Sequence, residues 1–250
     1  MEQVLKDQDT YSKILVYVIN MNNLTRLLQD IKDNPVMYLD KPSITCLYSF
    51  LVGYLSTRSE MGLDREGSGI EGFQDWIQER EKTNISQSWA GILLFFGGSE
   101  RSAFSNFFEL FEIFLKRNES SPNKENGKSL NSSGNDLRFS VRALYELLDS
   151  IKKRPGMYLG TSSITKLDML LRGYSLAQRE VGVPLTEQER EFEGFQSWVQ
   201  EKYGIKSGQS WSKIILFYSV DDHEALQKFF ELFEEYLNRN KNSDVDENSG

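Results

Sequence analysis

The sequence predicts a mainly α-helical protein, built as two tandem copies of a small bundle of four to five helices each. Three observations predict it. The chain contains itself twice, the apolar residues kept in both copies recur at helical spacing, and capping residues stand where those stripes begin. The repeat is direct. With an offset of 120, PVMYL at Pro35–Leu39 meets PGMYL at Pro155–Leu159, Ser43-Ile-Thr45 meets Ser163-Ile-Thr165, and Gly53-Tyr54 meets Gly173-Tyr174. A two-residue insertion near 183–192 moves the offset to 122. Then Glu71–Gln74 meets Glu193–Gln196, Gln87-Ser-Trp89 meets Gln209-Ser-Trp211, and FFELFE at Phe107–Glu112 meets Phe229–Glu234. Identities number 18 before the insertion and 23 after it, 41 over the 95 positions of residues 24–118, which only duplication explains.

The duplication tests each element twice, because a core position should stay apolar in both copies. Leu24, Leu27, Leu28, Ile31 and Leu144, Leu147, Leu148, Ile151 form one helical stripe, ended by Pro35 and Pro155. After each proline, Gly156 or its counterpart Val36 takes a tight turn and Met-Tyr-Leu enters the core. A second helix starts at Ser43 or Ser163 as N-cap and carries Ile44, Leu47, Leu51, Tyr54 or Ile164, Leu167, Leu171, Tyr174. Gly53 and Gly173 within it permit a close helix contact. A third carries Phe73, Trp76, Ile77 or Phe195, Trp198, Val199. In the fourth, Trp89, Ile92, Leu93, Phe96 and Trp211, Ile214, Ile215, Tyr218 fit a helical stripe behind Ser88 and Ser210. The string from Ile214 to Tyr218 also suits a buried strand, so α+β is the alternative if Trp211–Tyr218 pairs as one. The last helix is the broadest stripe, Ala225 to Leu237 and Ala103 to Leu115, capped by Asp221 or Asp222 and by Ser99.

These elements set the expected boundaries. Residues 1–118 form the first repeat with an extra N-terminal segment, in which Ile14–Ile19 is apolar enough to pack on the rest. Residues 119–139, rich in Ser, Asn and Gly, form a flexible linker. Residues 140–240 form the second repeat, and 241–250 a disordered tail of the linker's composition.

Composition narrows the function. Lys and Arg total 29 against 37 Asp and Glu, a net charge of −8. Such a surface repels phosphate backbones, so no nucleic-acid partner is expected. The one cysteine, Cys46, and the one histidine, His223, leave no material for a disulfide, a Cys cluster or a multi-His metal centre. No apolar run is long enough for a membrane span, and the opening MEQVLKDQDT does not read as a signal peptide. A cytoplasmic protein without cofactor follows.

The chemistry-bearing candidates each have a simpler reading. Asp221-Asp-His-Glu224 is a consecutive run whose side chains scatter round a helix, so it reads as a capped start. Lys152-Lys-Arg154 reads as a helix C-terminus favoured by the macrodipole. Cys46 has no identifiable activating base. Glu71 and Glu79, eight residues apart, are about two helical turns apart and cannot share a substrate bond. The acidic run Glu187, Glu189, Glu191, Glu193, where the copies differ in length and charge, is the interface candidate.

Two family resemblances attach to these strings. The run KRPGMYLG at Lys153–Gly160 resembles the start of the ATPase domain of GHKL ATPases, the family of type II topoisomerase B subunits. That resemblance would require a Glu and Asn helix for magnesium and an Asp-x-Gly-x-Gly loop, and neither follows Gly160, so ATPase activity is not expected. The whole unit, with its early PGMYL, central Phe-x-x-Trp, Ser-Trp and final FFELF helix, resembles small uncharacterised bacterial proteins of toxin-immunity loci. That resemblance implies an acidic, non-enzymatic immunity protein that neutralises a basic toxin or nuclease by direct binding. The alternative is a small-molecule sensor or regulatory protein with an aromatic pocket.

Overall fold

The computed structural model describes residues 23–63, 69–119 and 143–239. The N-terminal Ile14–Ile19 segment, the linker beyond Glu119 and the 241–250 tail lie outside the described residues. Every regular element among the described residues is helical, with no strand. Among the described residues each copy contributes six helices. The first has α1 (Asn23–Asp33), α2 (Pro35–Tyr38), α3 (Ile44–Glu60), α4 (Phe73–Arg80), α5 (Trp89–Gly97) and α6 (Glu100–Glu119). The second has α7 (Leu144–Lys153), α8 (Pro155–Leu159), α9 (Ile164–Glu180), α10 (Glu187–Lys202), α11 (Trp211–Phe217) and α12 (Asp222–Asn238). The segment in doubt, Trp211–Tyr218, is therefore a helix. Ser210 caps it by accepting from the Lys213 amide, and Ser88 caps α5 through the Gly91 amide.

Packing divides the described chain into two compact units, residues 23–44 with 69–119 and residues 45–63 with 143–239. The repeats at 1–118 and 140–240 are units of sequence; these are units of packing. In the first, Phe73 is the hub. Its ring meets Trp76, Trp89, Phe107, Phe111 and Phe114 at centroid separations of 5.3 to 5.8 Å. Most of these contacts are edge-to-face, the arrangement that the ring quadrupole favours. In the second, Phe195 takes the same place among Trp198, Trp211, Phe229, Phe233 and Tyr236.

The second unit contains α3 because of two glycines. A Cβ built on Gly53 would stand 2.0 Å from the Leu170 carbonyl oxygen, and one on Gly173 would stand 2.0 Å from that of Phe50. The helices α3 and α9 thus cross with backbone against backbone, at the same position in each. Tyr54, fully buried, donates its hydroxyl to Glu180 at 2.6 Å, and Arg58 meets the same carboxylate at 3.4 Å.

The segment after each proline departs from expectation. It is a short helix rather than a turn into the core. Only Leu39 and Leu159 are buried, while Met37 and Met157 are exposed. Gly156 has helical backbone and open space around its Cβ position, which explains why Val36 replaces it in the first copy. The left-handed residue is Gly160, at φ +73°.

Candidate interaction surfaces

Two pairs of glutamines kept in both copies hold the backbone in place. The Gln74 side chain accepts from the Trp89 amide at 2.5 Å and donates to the Gln87 carbonyl at 3.0 Å. Gln196 does the same to Trp211 and Gln209, at 2.6 and 3.0 Å. Gln78 and Gln200 donate to the carbonyls of Ile85 and Ser207. Each pair ties the loop before the fourth full helix to the helix preceding it, satisfying loop groups that would otherwise need water.

The acidic interface candidate breaks apart in the structure. All four residues lie on α10, but they do different things. Glu189 is buried and closes a capping box: it accepts from the Thr186 amide at 2.7 Å, while the Thr186 hydroxyl accepts from the Glu189 amide. It also accepts from the Tyr174 hydroxyl at 2.8 Å. Burial alone would raise its carboxyl pKa. The donors from Thr186 and Tyr174 outweigh burial and hold it below the usual range. Glu191 accepts from the Tyr145 hydroxyl at 2.7 Å and faces Arg239 at 3.6 Å. Burial first, and these carboxylate partners second, push Tyr145 and Tyr174 well above the ordinary tyrosine value. Only Glu187 and Glu193 are exposed. Of the four, the helix that runs through the insertion buries Glu189 alone, while Glu191 stays partly exposed between Tyr145 and Arg239.

The other candidates have structural partners. Asp221 caps α12 through the Glu224 amide, and Asp222 accepts from Ser163 and the Thr165 amide, joining the starts of α9 and α12. His223 is exposed beside Gln227. Lys152 pairs with Glu234, and Lys153 with Asp149. Cys46 is buried. The second copy alone holds a buried Asp168, which accepts from Arg172 at two 3.0 Å contacts and from the Ser212 hydroxyl at 2.6 Å. In the first copy Tyr48, Val52 and Ala90 stand at these places. No group of three or more His, Cys, Asp and Glu side chains able to hold a metal occurs among the described residues.

What the sequence reading missed is apolar. Phe96 and Tyr218, expected in the core stripe of the fourth helix, are exposed, and so are their neighbours Phe95 and Phe217, at 73% and 79%. The stripe is buried only as far as Leu93 and Ile215. After that the helix ends, and the rings of its last turn stay largely exposed. The rings of each pair stand edge-to-face at 5.1 Å. In the second copy Tyr203 stacks on Tyr218 at 4.6 Å. Ile205, Ser207, Gln209, Lys213 and Ile214 there enclose, with the pair, an open cavity of about 350 Å3. Val220, two residues beyond Tyr218, is 91% exposed. The signal that could have found these residues is the repeat itself: Leu94-Phe95 and Leu216-Phe217 are identical in the two copies, yet they fall off the helical stripe.

The comparisons with known proteins are negative: no family model, no curated protein and no solved structure matches the chain. No helix among the described residues is long and apolar enough to cross a membrane.

Proposed function

We propose that the protein is a non-enzymatic binding module that engages a partner protein through its exposed aromatic pairs, Phe95–Phe96 and Phe217–Tyr218. The observation that carries this reading is that large rings are exposed at the same place in both copies. A solitary exposed apolar residue is ordinary, but the same two-ring exposure kept twice has no packing reason, and aromatic anchors dominate protein interfaces. The immunity-type form of the reading makes the partner a basic toxin or nuclease. The net charge of −8 supports it, by steering a basic partner toward the protein, as do the exposed Glu187 and Glu193.

Capture of a partner by the tagged full-length chain tests the reading. Replacing Phe95, Phe96, Phe217 and Tyr218 with Ser should abolish capture while the circular dichroism spectrum stays helical; undiminished capture sinks it. Reversing Glu187 and Glu193 to Lys should slow association with a basic partner, and an unchanged on-rate removes the electrostatic part. The sensor reading has one observation of its own, the cavity beside Phe217, whose volume falls in the range of small-ligand sites. Native mass spectrometry separates the two, since a sensor carries a stoichiometric small molecule.

A further inference from the structure

We infer that Met37 and Met157 are a matched pair of reversible oxidation sites, converted to sulfoxides by an oxidant of the hydroperoxide class while the fold around them stays intact. The inference is independent of the protein-binding reading.

Four methionines lie among the described residues, and the two exposed ones are also the two that match between the copies. Met37 is 77% exposed and Met157 46%. Met61 is half-buried and Met169 fully buried, and their counterparts are Val181 and Ser49. Methionine is thus kept twice where packing does not ask for it, and is not kept where packing would. The preceding position shows how little packing asks there, since Val36 of the first copy matches Gly156, which has nothing near its Cβ position. Leu39 and Leu159, both buried, hold each short helix to its core. The local backbone is also alike. Met37 donates its amide to the Asn34 carbonyl at 3.1 Å, and Met157 donates to that of Arg154 at 3.0 Å.

The competing sulfur is out of reach. A thiolate is the usual first target of a peroxide, but Cys46 is 1% exposed, and a buried thiol is inert. At Met37 and Met157 the thioether sulfur attacks one peroxide oxygen. An S–O bond forms and the O–O bond breaks. The proton of the transferred oxygen ends on the departing hydroxide, which leaves as water. Sulfur loses two electrons and the peroxide gains them. The product is polar and chiral where a flexible apolar group stood, and dedicated reductases return each sulfoxide epimer to methionine. Oxidation therefore changes the surface at the same place in both copies, spares the core, and is erasable.

The test treats the full-length chain with dilute hydrogen peroxide under native conditions, quenches with free methionine, and maps each sulfur by peptide mass spectrometry. Met37 should oxidise ahead of Met157, and both about tenfold or more ahead of Met169 and Cys46. In denaturant the order among the methionines should vanish, because the fold imposes it. With both sites oxidised, the melting midpoint should stay that of the untreated chain. The two epimer-specific reductases together should restore the original mass at both. Met169 or Cys46 reacting as fast as the pair, a lowered melting midpoint, an order that survives denaturant, or sulfoxides that resist both reductases would overturn the inference.

Discussion

Helix α4 of the first copy has eight residues, and α10 of the second has sixteen, although both carry the same Phe-x-x-Trp core. The shorter helix begins at Gly72, in the left-handed region at φ +76° and with no side-chain cap. The longer begins two turns earlier at Thr186, in a complete capping box. The glycine itself is kept, as Gly72 and Gly194, but for unlike reasons. Gly72 is kept for its backbone angle, with nothing near its Cβ position. Gly194 sits inside a helix, and a Cβ there would stand 2.4 Å from the Tyr236 hydroxyl, which donates to the Glu191 carbonyl. The first copy has Phe114 in place of Tyr236. An identical residue in a duplicated sequence therefore need not mean an identical constraint.

The largest effect should come from a place where the copies do act alike. Gly53→Ala or Gly173→Ala drives a Cβ into a carbonyl oxygen that no side-chain rotation can clear, so each should destabilise by about 3 kcal/mol or more, or prevent folding. A thermal melt settles it, and wild-type melting would mean the helices do not cross at these glycines.

Next in size is the paired glycine test. Gly194→Ala should cost about 2 kcal/mol through overpacking, and Tyr236→Phe should restore most of it by removing the obstructing oxygen. Gly72→Ala should cost about 1 kcal/mol of backbone strain, and no partner substitution should restore it. Denaturant titrations of the single and combined variants check this. Rescue of neither glycine, or of both, would erase the distinction.

Smaller again is the capping box. Thr186→Ala should lose about 1 kcal/mol, read from the same titrations, and hydrogen exchange should show the loss concentrated in the first turns of α10. A loss spread evenly through the chain would deny the box a local role.

The smallest effect is in pH dependence. Glu189 titrates below its usual 4.5 in the folded state. Its stabilisation is therefore present above the unfolded value and is lost as pH falls through the folded one. Glu189→Gln should be less stable than wild type near neutrality and lose less on acidification below about pH 4.5. Parallel acid curves for the two proteins would contradict the assigned hydrogen bonds.

Much of the fold was legible because it depends on local patterns. Leu24, Leu27, Leu28 and Ile31 are all buried, as are their four counterparts, and Ser88, Ser210, Asp221 and Ser99 each accept the helix-start hydrogen bond their position suggested. The candidate site was legible only in reverse. Glu189, chosen as a surface charge, is buried, and aromatics chosen as core, Phe96 and Tyr218, are outside. Periodicity places a residue on a face of its own helix, but it does not report where the packing neighbour ends.

By itself, then, the sequence determined the duplication, the helical class and most helix starts, because propensity, capping and 3.6-residue periodicity act over a few neighbouring residues. Tertiary structure alone decided that α3 packs against α9 through Gly53 and Gly173, that Glu189 turns inward, and that the aromatic pair at the end of the fourth full helix in each copy stays exposed. Each of those outcomes depends on what a distant part of the chain brings alongside, and no local pattern carries that information.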